Sequence, residues 1–226
     1  MPCRSAGAID MFARRPLFRT LFCTLLRSLA TAAALSGALA AQAADTLRID
    51  TGSALTMVVK HLGWLETAGV KVEWVQPGER ADFTVAAART ALAARAQGAP
   101  VKAIYVLSRL AEGSSGGGSD GAGDTQFLLA SEALLASHGQ QARAVLVVLE
   151  RARHWVNAQP DAAAKIAGAA VQGRGFTGSR PGPAQLAALK ALARERGVDE
   201  QLGAALLDDT VYRAALNAMQ TAALGR

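Results

Sequence analysis

The residues best suited to bind a ligand in this sequence form a short turn of small side chains at positions 51–53, Thr-Gly-Ser. Before the turn, Leu47 and Ile49 alternate with polar neighbours, which predicts a strand. After it, apolar residues recur at three- and four-residue spacing as far as Thr67, which predicts an amphipathic helix. The turn thus sets a helix N-terminus at the carboxyl end of a strand, where amide N–H groups and the helix dipole favour an anion.

Catalytic chemistry is not indicated by the side chains. His61, His138 and His154 lie in separate segments, and no His-x-x-x-His or Glu-x-x-His pair occurs that would hold zinc. The acidic residues are dispersed over helix-like segments, as they usually are on solvated faces. The sequence therefore predicts a protein that is not an enzyme and that needs no metal or cofactor.

Residues 1–43 have the pattern of a secretory signal peptide. An arginine-rich region precedes an apolar stretch at residues 29–39, and the small residues Ala41 and Ala43 form a cleavage signal. The apolar stretch is short and rich in alanine for a membrane span, and an uncleaved anchor is the alternative interpretation. We expect the leader to be removed and the protein to be exported.

Removal of the leader changes the charge balance and the cysteine count. The full chain has 24 basic and 18 acidic residues, of which the leader holds five and one, so 19 and 17 remain. The high pI therefore belongs mainly to the leader and does not support binding to DNA or other nucleic acid. Cys3 and Cys23 are also in the leader, so the mature chain can form no disulfide and no cysteine metal site.

The first half of the mature chain alternates between strand and helix patterns. Residues 46–76 predict a strand-turn-helix-strand unit, and residues 81–85 predict a further strand. An alanine-rich helix is expected at 86–97, ending at a Gly-Ala-Pro sequence. The nearly continuous apolar run at 101–107 is typical of a strand buried on both faces.

A tract of glycine, serine and aspartate at residues 112–124 interrupts this pattern. It has no large apolar residue that could offset the entropy of ordering it, which predicts a flexible linker or an exposed loop. A phosphate-binding loop is the alternative, and the tract lacks the Lys-Ser/Thr ending that such a loop needs. We therefore favour a linker.

The second half of the chain is mainly helical. The expected elements are a strand at 125–130, helices at 132–137 (with Ser131 as N-cap), 140–157, 162–171, 184–196 and about 200–219, and a loop at 173–183. Residues 189–216 could also pass for a DNA-binding helix-turn-helix with Gly197 in the turn. Export and the near-neutral mature charge favour a pair of packing helices instead.

Five segments of this chain resemble one family. In order, they are residues 63–75 (GWLETAGVKVEWV), 81–83 (ADF), 96–106 (AQGAPVKAIYV), 127–138 (FLLASEALLASH) and 155–166 (WVNAQPDAAAKI). They resemble the aliphatic sulfonate, nitrate and taurine group of periplasmic solute-binding proteins that serve ABC importers. The resemblance covers about residues 46–110 and 125–170.

The resemblance implies an α/β fold, with a mostly parallel sheet flanked by helices and a helical C-terminal part, like a single lobe of a type II periplasmic binding protein. Residues 44–111 would form the first part of this lobe, and residues 125–226 the returning strand and C-terminal helices. The linker at 112–124 stands where family members have a second lobe. The implied partners are a sulfonate-like anion and the importer permease, in the periplasm.

The resemblance also implies a set of ligand contacts at strand ends. They are Thr51, Gly52 and Ser53 after the first strand, Thr84 and Arg89 around the end of the third, and Ser108 after the fourth. Structural roles compete with these: Ser53 as a helix cap, Arg89 as an exposed helical residue and Ser108 as a strand-end cap. The implied function is binding without catalysis, and the alternative is an interaction module or remnant that no longer binds a ligand.

Overall fold

The computed structural model describes residues 46–110, 125–172, 174–176 and 180–224. These residues belong to one compact unit, Asp45–Arg226. The predicted signal peptide at 1–43 and linker at 112–124 lie outside the described residues. No helix within the described ranges combines the length and the apolar character needed to cross a membrane.

The described residues form a six-stranded mixed sheet with the strand order β2-β1-β3-β5-β4-β6. The strands β1, β2 and β3 are parallel, whereas β5 runs antiparallel between β3 and β4, and β6 runs antiparallel to β4. Their bounds are Leu47–Asp50 (β1), Val72–Val75 (β2), Phe83–Ala87 (β3), Val101–Leu110 (β4), Gln126–Ser131 (β5) and Arg174–Gly175 (β6).

Helices cover both faces of the sheet. They are α1 (Ala54–Leu62), α2 (Trp64–Thr67), α3 (Ala88–Ala96), α4 (Glu132–Ser137), α5 (Gly139–Ala158), α6 (Pro160–Ala167), α7 (Pro183–Glu195), α8 (Gln201–Leu206) and α9 (Thr210–Leu224), with a 3-10 turn at Gly168–Ala170. One face of the sheet packs against α1, α2, α5, α6 and α9, and the other packs against α3, α7 and α8, because successive strand residues point to opposite sides.

The predicted α/β fold class is confirmed, and most predicted elements lie within a few residues of their observed bounds. The predicted cap at Ser131 is present, since its hydroxyl oxygen accepts the N–H of Leu134 at 3.1 Å. The run at 101–107 is buried on both faces from Ala103 onward, with Ala103 to Ser108 all almost inaccessible to solvent, whereas Val101 and Lys102 are half-buried.

Two predicted helices are interrupted. The helix expected through Thr67 ends at Leu62, because Gly63 adopts a left-handed conformation with φ of 61° and its N–H bonds back to the helix. The helix expected at 200–219 breaks at Leu207, which is extended and pairs with Ala103 of β4. The N–H of the following residue, Asp208, donates to the Ala103 carbonyl at 3.1 Å.

The segment expected as a loop at 173–183 contains the short strand β6, which pairs with the end of β4.

Polar side chains on α5 fix the position of this segment through hydrogen bonds. The Glu150 carboxyl accepts the hydroxyl of Tyr105 at 3.0 Å and the Nε of Arg153 at 3.0 Å. Arg153 and Asn157 both donate to the carbonyl of Phe176, at 3.4 and 3.2 Å. The hydrogen bond to Glu150 is the main cause that raises the pKa of Arg153.

We expect Glu150→Gln to lower the free energy of unfolding by about 3 kcal/mol, because it leaves the partly buried Arg153 without its counter-charge. Urea denaturation measures this loss. Glu200→Gln is the matched control, since it removes a carboxylate from the exposed ion pair with Arg194 and should change little. Equal effects of the two substitutions would contradict the stabilising role of the buried pair.

Candidate functional site

Four of the six predicted contact residues lie at the carboxyl ends of β1 and β4, and the other two lie on β3 and on the helix that follows it. Thr51, Gly52 and Ser53 follow β1, Ser108 is near the end of β4, and Arg89 is exposed in the first turn of α3. Thr84 differs from expectation, because β3 continues to Ala87 and Thr84 is a half-buried strand residue paired with Leu129. None of the six is among the residues that line the cavity near the ends of β3 and β4.

The hydroxyl groups of the first turn are used inside the protein. Thr51 donates its hydroxyl to the carbonyl of Val75 at 3.0 Å. Ser53 is 2% exposed and caps α1, since its hydroxyl oxygen accepts the Thr56 N–H at 3.1 Å. The Ser53 N–H in turn donates to the hydroxyl oxygen of Thr56 at 3.2 Å. These contacts complete a capping box, so helix capping is a role that the structure shows for Ser53.

Asp50 was not predicted as a site residue, yet its carboxyl group accepts backbone hydrogen bonds at this turn and from β3. Its carboxyl group is 1% exposed and accepts the N–H of Gly52 at 2.6 Å and the N–H of Val85 at 3.2 Å. It therefore links the turn after β1 to the middle of β3 through two hydrogen bonds. The sequence signal was an acidic residue two positions before a glycine, a spacing at which aspartate often bonds its own backbone.

Ser108 is also satisfied internally. It is 3% exposed and donates its hydroxyl to Oε1 of Gln126 at 2.8 Å. Its oxygen accepts Nη1 of Arg174 at 3.2 Å. The side chain thus links the ends of β4, β5 and β6, which is close to the strand-end role considered for it.

A cavity of about 170 Å³ lies at the same edge, between the start of α3, the end of β4, the start of β5 and helix α7. Arg109, the neighbour of Ser108, supplies the positive charge. Its Nε is buried without a hydrogen-bond partner, and the described part of the chain gives Arg109 no ion pair. The lining residues are Ala88, Arg109, Thr125, Phe127, Ala184, Gln185, Ala188 and Leu189.

The chemistry of this cavity suits a small anion. Phe127 and Leu189 are each 1% exposed and give it apolar walls, and Arg109 gives it a donor-rich cation. No acidic side chain is among the described residues that line it. Among the same described residues, no group of three or more histidine, cysteine, aspartate or glutamate side chains is arranged to hold a metal ion.

Neither the protein-family models nor the curated proteins give a match to this sequence. Solved structures, in contrast, do match the fold of this chain. The ligand-binding component of an ABC-type import system from Staphylococcus aureus with zinc bound matches with a TM-score of 0.58 and 11% identity, over 75% of this chain and 98% of that chain.

Two sulfonate-binding proteins also match. The alkanesulfonate-binding protein SsuA from Xanthomonas axonopodis pv. citri, bound to MOPS, has a TM-score of 0.53 and 14% identity, over 73% of this chain and 98% of that chain. The periplasmic aliphatic sulphonate binding protein SsuA from Escherichia coli has a TM-score of 0.51 and 15% identity, over 68% of this chain and 88% of that chain. The described unit therefore has the fold of a single lobe of a periplasmic binding protein.

These structural neighbours are periplasmic binding proteins and not enzymes. At such low identity the likeness establishes the fold alone, and the ligand has to be argued from the residues of this chain. The sulfonate-binding family and the loss of a second lobe remain predictions.

We expect Asp50→Asn to lower the free energy of unfolding by about 1–3 kcal/mol. If the amide oxygen keeps the Gly52 contact, its NH₂ group faces the N–H of Val85, so two donors meet in a buried place. Chemical denaturation tests this, with Asp161→Asn on the exposed first turn of α6 as a control that should cost a few tenths of a kcal/mol. Unchanged stability of Asp50→Asn would show that the carboxyl is not needed there.

Proposed function

We propose that this protein is the solute-binding component of an ABC importer for small anions, and that it binds its ligand without catalysis. The observation that carries the proposal is the unpaired Arg109 in a cavity at the carboxyl edge of the sheet. The periplasmic-binding-protein fold supports it, because open α/β sheets bind ligands in the crevice beyond the carboxyl ends of their strands.

Arg109 has a physical reason to bind an anion. A charged donor that is partly withdrawn from water and lacks a partner costs free energy, and an anionic ligand recovers that cost. The guanidinium presents several N–H groups in one plane and is suited to two oxygens of a carboxylate or sulfonate. In this proposal the main contact to the anion is made by Arg109, which follows the predicted contact Ser108, and not by the turn at 51–53.

The proposed setting is the periplasm, with an importer permease as the partner. The signal-peptide pattern at 1–43 supports export, and the binding-protein neighbours support the same location. We further propose that the tract at 112–124 replaces a second lobe. A ligand held by one lobe keeps one side in water, so we expect weak affinity, with a Kd in the micromolar range or above.

The second candidate function is an interaction module that no longer binds a ligand. It is favoured by the internal use of the polar groups that the family resemblance assigned to ligand: Thr51, Ser53 and Ser108 all bond within the protein. The two functions differ in whether small anions stabilise the folded state.

We expect nitrate, taurine or a short alkanesulfonate to raise the Tm of the wild-type protein, and Arg109→Gln to abolish that rise. Ligand binding to the folded state stabilises it by about 2.7 kcal/mol at a concentration 100 times Kd. Without ligand, Arg109→Gln should leave stability unchanged or raise it, because no described residue pairs with the lost charge.

Arg196→Gln is the matched control, since Arg196 is exposed just beyond the C-terminal end of α7, away from the cavity. It should retain the full thermal shift with each anion. If no anion shifts the wild-type Tm, solute binding is contradicted and the interaction module becomes the better assignment. Sub-micromolar affinity of the isolated monomer by calorimetry would contradict the exposed single-lobe site.

A further inference from the structure

Besides Arg109, two polar side chains line the cavity: Thr125, just before β5, and Gln185, from the helical C-terminal half of the chain. Gln185 lies in the first turn of α7, is 6% exposed and lines the cavity opposite the strand ends. Buried glutamine usually has its amide oxygen and nitrogen both hydrogen-bonded, because an unmade bond in a buried place is costly. How this amide is satisfied therefore bears on what the cavity holds.

The orientation of the Gln185 amide is fixed by its helix cap. The N–H of Gly182 donates to Oε1 of Gln185 at 3.0 Å, and a backbone N–H needs an oxygen and not an NH₂ group as its acceptor. The Nε2 end, with its two donor hydrogens, is then the other end of the amide. No described residue accepts a hydrogen bond from Nε2.

Two side chains with donor groups that no described residue pairs therefore line one cavity: Arg109, whose Nε is buried without a hydrogen-bond partner, and Gln185, through its amide Nε2. They reach it from α7 and β4, on elements far apart in the chain. Apart from Thr125, the other walls are apolar, with Phe127, Leu189 and Ala88 each at most 2% exposed. A ligand with acceptor oxygens at one end and a hydrocarbon body at the other meets both requirements.

The volume of the cavity sets how much of a ligand its walls can cover. Its volume is about 170 Å³. An apolar protein cavity of about 150 Å³ accepts one benzene molecule, which has about six non-hydrogen atoms. Butanoate and ethanesulfonate are of this size, whereas an alkanesulfonate with a long chain is much larger.

We propose that Gln185 is a specificity-determining residue of the solute site, holding with Arg109 the oxygens of one carboxylate or sulfonate group whose short hydrocarbon part packs on Phe127 and Leu189. This inference rests on the proposed function and adds the ligand class and a residue outside the strand-end turns. Gln185 contributes a neutral donor, so it favours an anion with several acceptor oxygens without adding charge to the site.

The test is Gln185→Glu in the full mature chain. Glutamate has the same length and keeps an oxygen for the Gly182 N–H, so the cap of α7 survives, and a negative charge in a first helical turn is favourable. The donor Nε2 is replaced by a second carboxylate oxygen, which repels an anion. We expect calorimetry to show at least a tenfold weaker affinity for butanoate and ethanesulfonate, with an unchanged or higher Tm without ligand.

Gln97→Glu makes the same chemical change at the exposed C-terminal end of α3 and should retain wild-type affinity. If Gln185→Glu binds both probes as the wild type does, while Arg109→Gln is weakened, the role of Gln185 is overturned and the proposed function stands. If the wild type binds neither probe and no other small anion, both fail. Octanesulfonate binding at least tenfold more tightly than ethanesulfonate would overturn the short hydrocarbon contact, because the extra chain would then have found further apolar walls.

Discussion

The structure depends on the pairing of β5 with two strands at once. β5 lies antiparallel between β3 and β4, and within the described residues these two strands are hydrogen-bonded to β5 and not to each other. Its side chains alternate between the two cores, with Leu128 and Ala130 on one face and Phe127 and Leu129 on the other. Both helical layers therefore share this strand as an inner wall, and the position of every strand-end residue on β3 and β4 follows from it.

The carboxyl edge of the sheet shows how a place suited to anions can be occupied by the protein itself. The carboxyl of Asp50 takes two backbone N–H groups, and the hydroxyls of Thr51, Ser53 and Ser108 each have an internal partner. Such bonds rigidify the edge and lower its capacity to bind a ligand there, because each donor can serve only one acceptor well. The polar groups left over belong to the neighbouring cavity under α7.

Most of the fold could be predicted from the sequence, because the local sequence patterns agree with the observed structure for the main helices and strands. Apolar periodicity located β1, α1 and α5, and Ser131 was recognisable as a cap. The break at Leu207 was not predictable, since it results from pairing with Ala103, more than 100 positions earlier. The cavity could not be predicted from the sequence for the same reason, because its lining depends on long-range packing. Arg109 and Gln185 come together when α7 packs on the sheet, and no local sequence pattern relates them.

The central position of β5 has a consequence for the order in which the chain can fold. The strands β1 to β4 precede residues 126–131 in the chain, yet within its described part β3 and β4 have no hydrogen-bonded contact with each other. Until β5 enters, each presents an open edge rich in apolar side chains, of the kind that pairs readily with other chains. The pairing of β5 thus covers two aggregation-prone strand edges in one step. Protection of the chain against aggregation by chaperones matters most before β5 has paired.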